Sequence, residues 1–299
     1  MFFVKIQMMA KTLHDDVRKS LEENGYAVVK NVLTPEEVKE ARVMFDEWRA
    51  SVPNLDKQHN TVDPHGIYKH HEAGHQKHAW FIRTCPNVQE VFKKFWKTDE
   101  LVVSFDGSCY IGPECRKKDN CWTHTDQAPN SVGLKCIQGF VALTTNKQRT
   151  LVVYEGSHLE HEKYFKENDI KGTKNWFKFD EDYVASLKDR RRVLHVPAGA
   201  LVLWESRTYH QNQYGKPGEE RLVQYISYLP KNDPKNNERM RKKRLNYFDT
   251  RRTTSHWAYP ISVNGKQPQT YGDKSREIDY SLLPVPDLSE MMPEIEKLL

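Results

Sequence analysis

Between Leu101 and Tyr228 the chain breaks into short runs of strand-forming residues with turn chemistry between them, and this limits the fold more than anything else in the sequence. The runs are Leu101–Phe105, Ser108–Gly112, Cys121–His124, Leu134–Thr144, Thr150–Tyr154, Arg192–Val196, Ala200–Trp204 and Arg221–Tyr228. Short strands spaced in this way predict a double-stranded β-helix: a jelly-roll, cupin-like core in a mainly β chain with flanking helices. Residues 158–190 interrupt the pattern with a helix-like Leu159–Asn168, an aromatic patch Trp176-Phe177-Lys178-Phe179 and a second helix-like stretch, Asp182–Arg190. We expect a single domain over 1–299. Residues 1–100 would form a helical and strand layer, 101–230 the core, and 231–299 a basic helix and tail.

The outer layer has its own signals. Residues 14–24 read as a helix stopped by Asn24-Gly25, and Tyr26–Leu33 reads as a strand. Thr34-Pro35-Glu36-Glu37 combines a capping hydroxyl, a proline at the first helical position and a glutamate three residues on, so a helix starts there. Its apolar stripe is Val38, Ala41, Phe45 and Trp48. Pro86–Trp96 is a second helix with Val88, Val91, Phe92 and Phe95 on one face. Asn232–Thr250 reads as a basic helix.

At 299 residues, 37% hydrophobic and 29% charged, the chain can bury one sizeable core and lacks a disordered composition. The net charge of +5 is too mild to argue for nucleic acid by itself. Met1-Phe2-Phe3-Val4 is too short for a signal sequence, and no run of about 18 apolar residues is present to span a membrane. The five cysteines form no C-x-x-C pair and are odd in number, which fits a reducing, cytoplasmic setting. Cys109, Cys115 and Cys121 match no zinc spacing.

The chemistry concentrates in Trp122-Thr123-His124-Thr125-Asp126, His210 and Arg221. His124 and Asp126 are one residue apart, so on an extended strand both side chains project from one face. His210 follows the strand-like run Ala200–Trp204, and Arg221 opens the next one. Two histidines and one carboxylate make the facial triad of non-haem Fe(II) oxygenases, which leaves positions open for reactants. A guanidinium nearby can grip a dicarboxylate in a two-pronged pair. Trp122, Gln127, Trp204 and Arg207 flank these residues and are candidate pocket walls.

In the order and spacing of these pieces the chain resembles the phytanoyl-CoA dioxygenase-like family of Fe(II)/2-oxoglutarate oxygenases. The resemblance runs from Asn24-Gly25-Tyr26-Ala27-Val28-Val29 through the H-x-D, Gly156-Ser157-His158, His210 and Arg221. It implies Fe(II) on His124, Asp126 and His210 as the catalytic centre, with 2-oxoglutarate and O2 as co-substrates. Arg221 would take the distal carboxylate of 2-oxoglutarate, with Asn212 as a second contact where the family commonly has a small hydroxyl residue. Retention of Asp126 argues for hydroxylation, since halogenating relatives vacate that ligand. In related oxygenases the region before the barrel lines the site mouth, which makes His75, His78, Trp80 and Arg83 candidates for substrate contact. The implied reaction hydroxylates an organic substrate and releases succinate and CO2.

A small molecule is the expected substrate. The basic run Arg239–Arg244 with Arg251-Arg252 keeps open an oxygenase acting on nucleic acid or protein. A non-catalytic cupin-like metal-binding scaffold is the other alternative. The His-rich stretch from His59 to His78 is either a metal-binding tract or a solvated loop. His158, in the Gly-Ser-His turn, reads as structural.

Overall fold

Residues 201–204 read Leu-Val-Leu-Trp without polar alternation, as suits a strand covered on both faces. The computed structural model describes residues 16–56, 58, 66–117, 121–263 and 265–299 and shows that arrangement. Its strands are β1 (Tyr26–Val29), β2 (Leu101–Val103), β3 (Ser108–Ile111), β4 (His124–Thr125), β5 (Ile137–Ala142) and β6 (Leu151–Tyr154). There follow β7 (Phe177–Lys178), β8 (Arg191–Val193), β9 (Leu201–Glu205), β10 (His210–Asn212) and β11 (Arg221–Pro230). The larger sheet has the order β1-β9-β5-β11-β2, with β3 also paired to β11; the smaller has the order β7-β4-β10-β6-β8. All recorded pairings are antiparallel.

Successive strand residues point to opposite faces, and here both faces are apolar for different reasons. Val141, Leu201, Leu203, Leu222 and Ile226 join a core shared with the helices. Their neighbours Phe140, Val202, Trp204 and Val223 join a core with Leu151 and Val153 of the smaller sheet. The expected jelly-roll core, mainly β with helices outside it, is the observed architecture.

The outer helices form where expected. Thr34 caps Pro35–Ser51: its hydroxyl accepts from the Glu37 amide at 3.2 Å, and the Glu37 carboxylate accepts from the Thr34 amide at 2.7 Å. Ala41, Phe45 and Trp48 are buried, and Val38 packs partly against the core. Pro86–Trp96 buries Val88, Val91, Phe92 and Phe95. Each fully buried aromatic ring of this kind contributes about 1.5–3 kcal/mol. Within the expected 14–24 helix, residues 16–24 are helical, and residues 14 and 15 lie outside the described residues.

Several elements differ from expectation. The first strand ends at Val29 rather than Leu33, because Asn31 turns through φ 57° and the Val32 and Leu33 amides both donate to the Gly199 carbonyl. The aromatic patch supplies a strand, β7, which pairs with β4. The basic helix is Glu238–Asp249, shorter than expected, and its N-cap Asn237 accepts from the Met240 amide. Arg244 of that basic run is buried. Its guanidinium donates to the Ala258 carbonyl at 2.7 Å and to Asn236 Oδ1 at 2.9 Å, tying the C-terminal tail down.

The His-rich tract forms no metal cluster among the described residues. His70 pairs with the Gly265 carbonyl and His71 with Gln58, while His59 and His65 lie outside the described residues. No described helix is long and apolar enough to cross a membrane.

Candidate active site

The three expected ligands meet because two short strands pair in register. β4 and β10 run antiparallel with His124 directly opposite His210, and the two rings lie 4.3 Å apart. Asp126 follows β4, where its amide donates to the Ser206 carbonyl at 3.0 Å and fixes the turn. Ligand atoms of all three side chains lie within 4.8 Å of one another.

Hydrogen bonds decide which ring nitrogens face inward. Nδ1 of His124 contacts the Trp122 carbonyl at 3.2 Å, and Nδ1 of His210 contacts the Thr208 carbonyl at 2.8 Å. A carbonyl only accepts, so each Nδ1 carries a proton and each Nε2 is the ring nitrogen left to face the site. Those nitrogens face the carboxylate: His124 Nε2 is 3.8 Å from Asp126 Oδ1, and His210 Nε2 is 3.2 Å from Asp126 Oδ2. Two ring nitrogens and a carboxylate converging in this way form a donor set for a cation. Burial, and then His210, lower the His124 imidazole to about 4, so the ring is neutral near pH 7. Burial works to raise the Asp126 carboxyl, but His256, His124 and His210 outweigh it and hold the group well below its ordinary range. Gln138 Nε2 donates to Asp126 Oδ2 at 3.1 Å and orients it. Two imidazoles and one carboxylate, with no thiol in the cluster, are the donor set that suits Fe(II).

Arg221 opens β11 and is fully buried. Its Nη2 donates to Asn212 Oδ1 at 3.0 Å, and its guanidinium lies 5.3 Å from the Phe140 ring centroid. Nε and Nη1 have no hydrogen-bond partner among the described residues. A buried cation with two unpartnered nitrogens is costly unless an anion joins it, and a carboxylate of 2-oxoglutarate fits that need. Asn212 also donates to the Tyr225 hydroxyl at 3.2 Å. Tyr225 was not among the expected site residues. It stands four residues after Arg221 on the same strand, so the period-two rule that places Arg221 inward places Tyr225 there as well.

Tyr225 and Gln138 border a cavity of about 520 Å³, while Arg221 is not among its lining residues and reaches the wall through its bond to Asn212. Trp122, Trp204, Asn212 and all three expected ligands line it. The other expected contacts require correction. His75 is buried against Phe105, with Nε2 on the Arg252 carbonyl at 3.0 Å. His78 is buried between Phe45 and Trp48, and its Nε2 meets Ser108 Oγ at 2.9 Å. Arg83 donates to the Gly74 and Asp106 carbonyls at 2.5 and 2.6 Å. None of the three lines the cavity; they hold its wall from behind. Gln127 spends its amide on the Ser131 and Gly133 carbonyls and on Ser206. Arg207 is ion-paired to Glu205 and Glu162, so neither residue is a pocket wall.

The Gly-Ser-His turn is structural. Gly156 adopts φ 72°, Ser157 Oγ accepts from the Tyr209 amide at 2.8 Å, and His158 bonds the Glu22 carbonyl at 3.0 Å. Lining residues absent from the expectation include Asp106, Trp176 and a return of the chain over 253–256. The tail carries no motif, and hydrogen bonds to Phe105 and Gly74 help bring it to the mouth.

Comparison with known proteins agrees with this geometry. The chain is 30% identical over 255 residues to "Ava biosynthesis cluster protein O" of Aspergillus versicolor, covering 76% of this chain and 82% of that protein. In overall fold it is similar to the epimerase SnoN, solved with Fe3+, alpha ketoglutarate and nogalamycin RO, at TM-score 0.53 and 16% identity over 74% of this chain and 84% of that one. It is similarly close to the non-heme alpha ketoglutarate dependent carbocyclase SnoK, at TM-score 0.51 and 17% identity over 72% of this chain and 83% of that one. The profile of the phytanoyl-CoA dioxygenase (PhyH) family matches residues 21–213. The chain therefore belongs to the phytanoyl-CoA dioxygenase family of iron- and 2-oxoglutarate-dependent oxygenases.

Proposed function

We propose that this protein hydroxylates an organic small molecule, consuming O2 and 2-oxoglutarate and releasing succinate and CO2. His124, Asp126 and His210 would hold Fe(II), and Arg221, with Asn212 and Tyr225 beside it, would hold the far carboxylate of 2-oxoglutarate. Bound Fe(II) supplies the O2 chemistry; the protein contributes placement, charge and exclusion of water. Trp122 and Trp204 wall the site. A cavity of about 520 Å³ is of small-molecule size.

One observation carries the reading. Two histidine Nε2 atoms converge on a buried carboxylate, and the same barrel holds a buried arginine with two unpartnered nitrogens. The first arrangement wants a cation and the second wants an anion. To test it, the protein is purified anaerobically, given Fe(II) and 2-oxoglutarate, and then exposed to air while succinate is measured, slow uncoupled turnover included. Succinate above an Asp126→Ala control is expected; none above that control sinks the proposal. Calorimetry with 2-oxoglutarate separates this enzyme from a scaffold that binds metal but not the keto acid.

A further inference from the structure

The cavity has a second polar pole, formed by Asp106 and His256 together. The two are brought there by reciprocal bonds between their neighbours: Thr254 N donates to the Phe105 carbonyl at 3.0 Å, and Phe105 N donates to Thr254 Oγ1 at 2.9 Å. Gly74 N donates to Thr253 Oγ1 at 3.1 Å and fastens the tail once more. The Asp106 backbone is pinned in turn, since its carbonyl accepts from Arg83 and from Gln224. Gly107 follows, and a Cβ there would lie 1.8 Å from the Tyr68 carbonyl oxygen, so the wall admits no side chain at that point.

Asp106 and His256 both line the cavity, and neither belongs to the metal-ligand set. Asp106 is 5% exposed; Oδ2 accepts from Ser104 Oγ at 2.7 Å, while Oδ1 takes no bond among the described residues. His256 Nε2 is covered and has no hydrogen-bond partner among the described residues. Burial pushes the Asp106 carboxyl upward, and His256 is the strongest of the groups that oppose this. The remaining wall is aromatic: Trp122 and Trp176 meet edge to face at 6.4 Å, and Trp204 stands 5.4 Å from His210.

We propose that Asp106 and His256 read the substrate, and that the substrate is a flat aromatic molecule whose hydroxyl or amine donates a hydrogen bond to the Asp106 carboxylate. The proposal rests on the hydroxylase reading above for what happens to the molecule once bound. A buried acceptor left unpaired is costly, so a ligand that supplies the donor is favoured over one that lacks it. Stacking against the tryptophans supplies affinity without sequence-specific contacts. Lys69 and Lys174 also line the cavity and disfavour a cation, so a hydroxyl is the expected form of the donor.

The test is anaerobic calorimetry on the Fe(II)- and 2-oxoglutarate-loaded protein with three probes: 2-naphthol, its capped ether 2-methoxynaphthalene, and 2-naphthylmethylamine. We expect 2-naphthol to bind at least about tenfold more tightly than the ether. Asp106→Ala should bring the two within about twofold of each other while 2-oxoglutarate affinity is unchanged. If that variant does not fold, His256→Ala, which keeps the Ser104–Asp106 bond, should cut the preference by about threefold or more. Tighter binding of the amine supports the donor assignment and makes the donor an ammonium. Equal binding of naphthol and ether, no binding of any probe, or a preference that survives the variants overturns it. A wild-type protein that keeps the naphthol preference yet fails to bind 2-oxoglutarate would instead refute the hydroxylase reading and leave this one standing.

Discussion

Nε2 of His124 and of His210 faces the site because each Nδ1 bonds a backbone carbonyl two residues upstream. The same local motif thus sets both ligands, and Asp126 completes the set from the adjacent turn. Asp126→Ala leaves two imidazoles and no carboxylate to offset the metal's charge. Fe(II) loading measured by metal analysis should collapse, and succinate output should fall to background. Arg221→Ala acts elsewhere. It removes the buried cation but leaves the triad, so Fe(II) binding should persist while calorimetry shows 2-oxoglutarate weakened by about 2–5 kcal/mol if that pair is desolvated. Unchanged affinity would mean that Arg221 serves the fold alone. These four residues were legible in the sequence because their types are chemically unusual together. His75, His78 and Arg83 misled for the opposite reason: polar residues near a site look functional until the structure shows them spent on core hydrogen bonds.

At the scale of elements, the strands with continuous apolar runs were readable, and β5, β6, β9 and β11 lie inside the expected spans or within two residues of them. Strands β4, β7 and β10 are only two or three residues long, and their existence depends on mutual pairing rather than on propensity. No periodicity can show in so short a segment, yet these three strands build the metal site. The tail was equally hidden, because it is held by scattered hydrogen bonds, two arginines and a few packed residues rather than by a periodic element. Replacing Arg244 with methionine keeps much of the volume but leaves the Ala258 carbonyl and Asn236 Oδ1 without their buried donor. We expect a loss of about 1–3 kcal/mol for each buried group left unsatisfied. The melting temperature should drop, and limited proteolysis should cut first within 250–263. A variant that melts lower but resists cleavage there would show that Arg244 acts on its own helix instead.

Across the whole molecule, buried histidines give stability a direction in pH. Burial, followed by Arg83, lowers both His75 and His78 to about 3 from an ordinary 6.5. The unfolded chain therefore takes up these protons before the folded chain does. Their contribution is complete above about pH 6.5 and is lost as pH falls from there toward 3, by at most about 1.4 kcal/mol per pH unit for each histidine. Urea titrations of the metal-free protein at stepped pH should show that slope, and His78→Phe should make it shallower. A slope of the opposite sign would mean that these rings are charged in the fold. The arrangement of the site along the chain has a further consequence. The family profile ends at residue 213, whereas Arg221, Tyr225 and the 253–256 return all come later in the chain. Two members matching equally well over that profile can therefore share an oxidising centre and still differ in the keto-acid anchor and in one wall of the cavity, because both lie beyond the stretch by which kinship is judged.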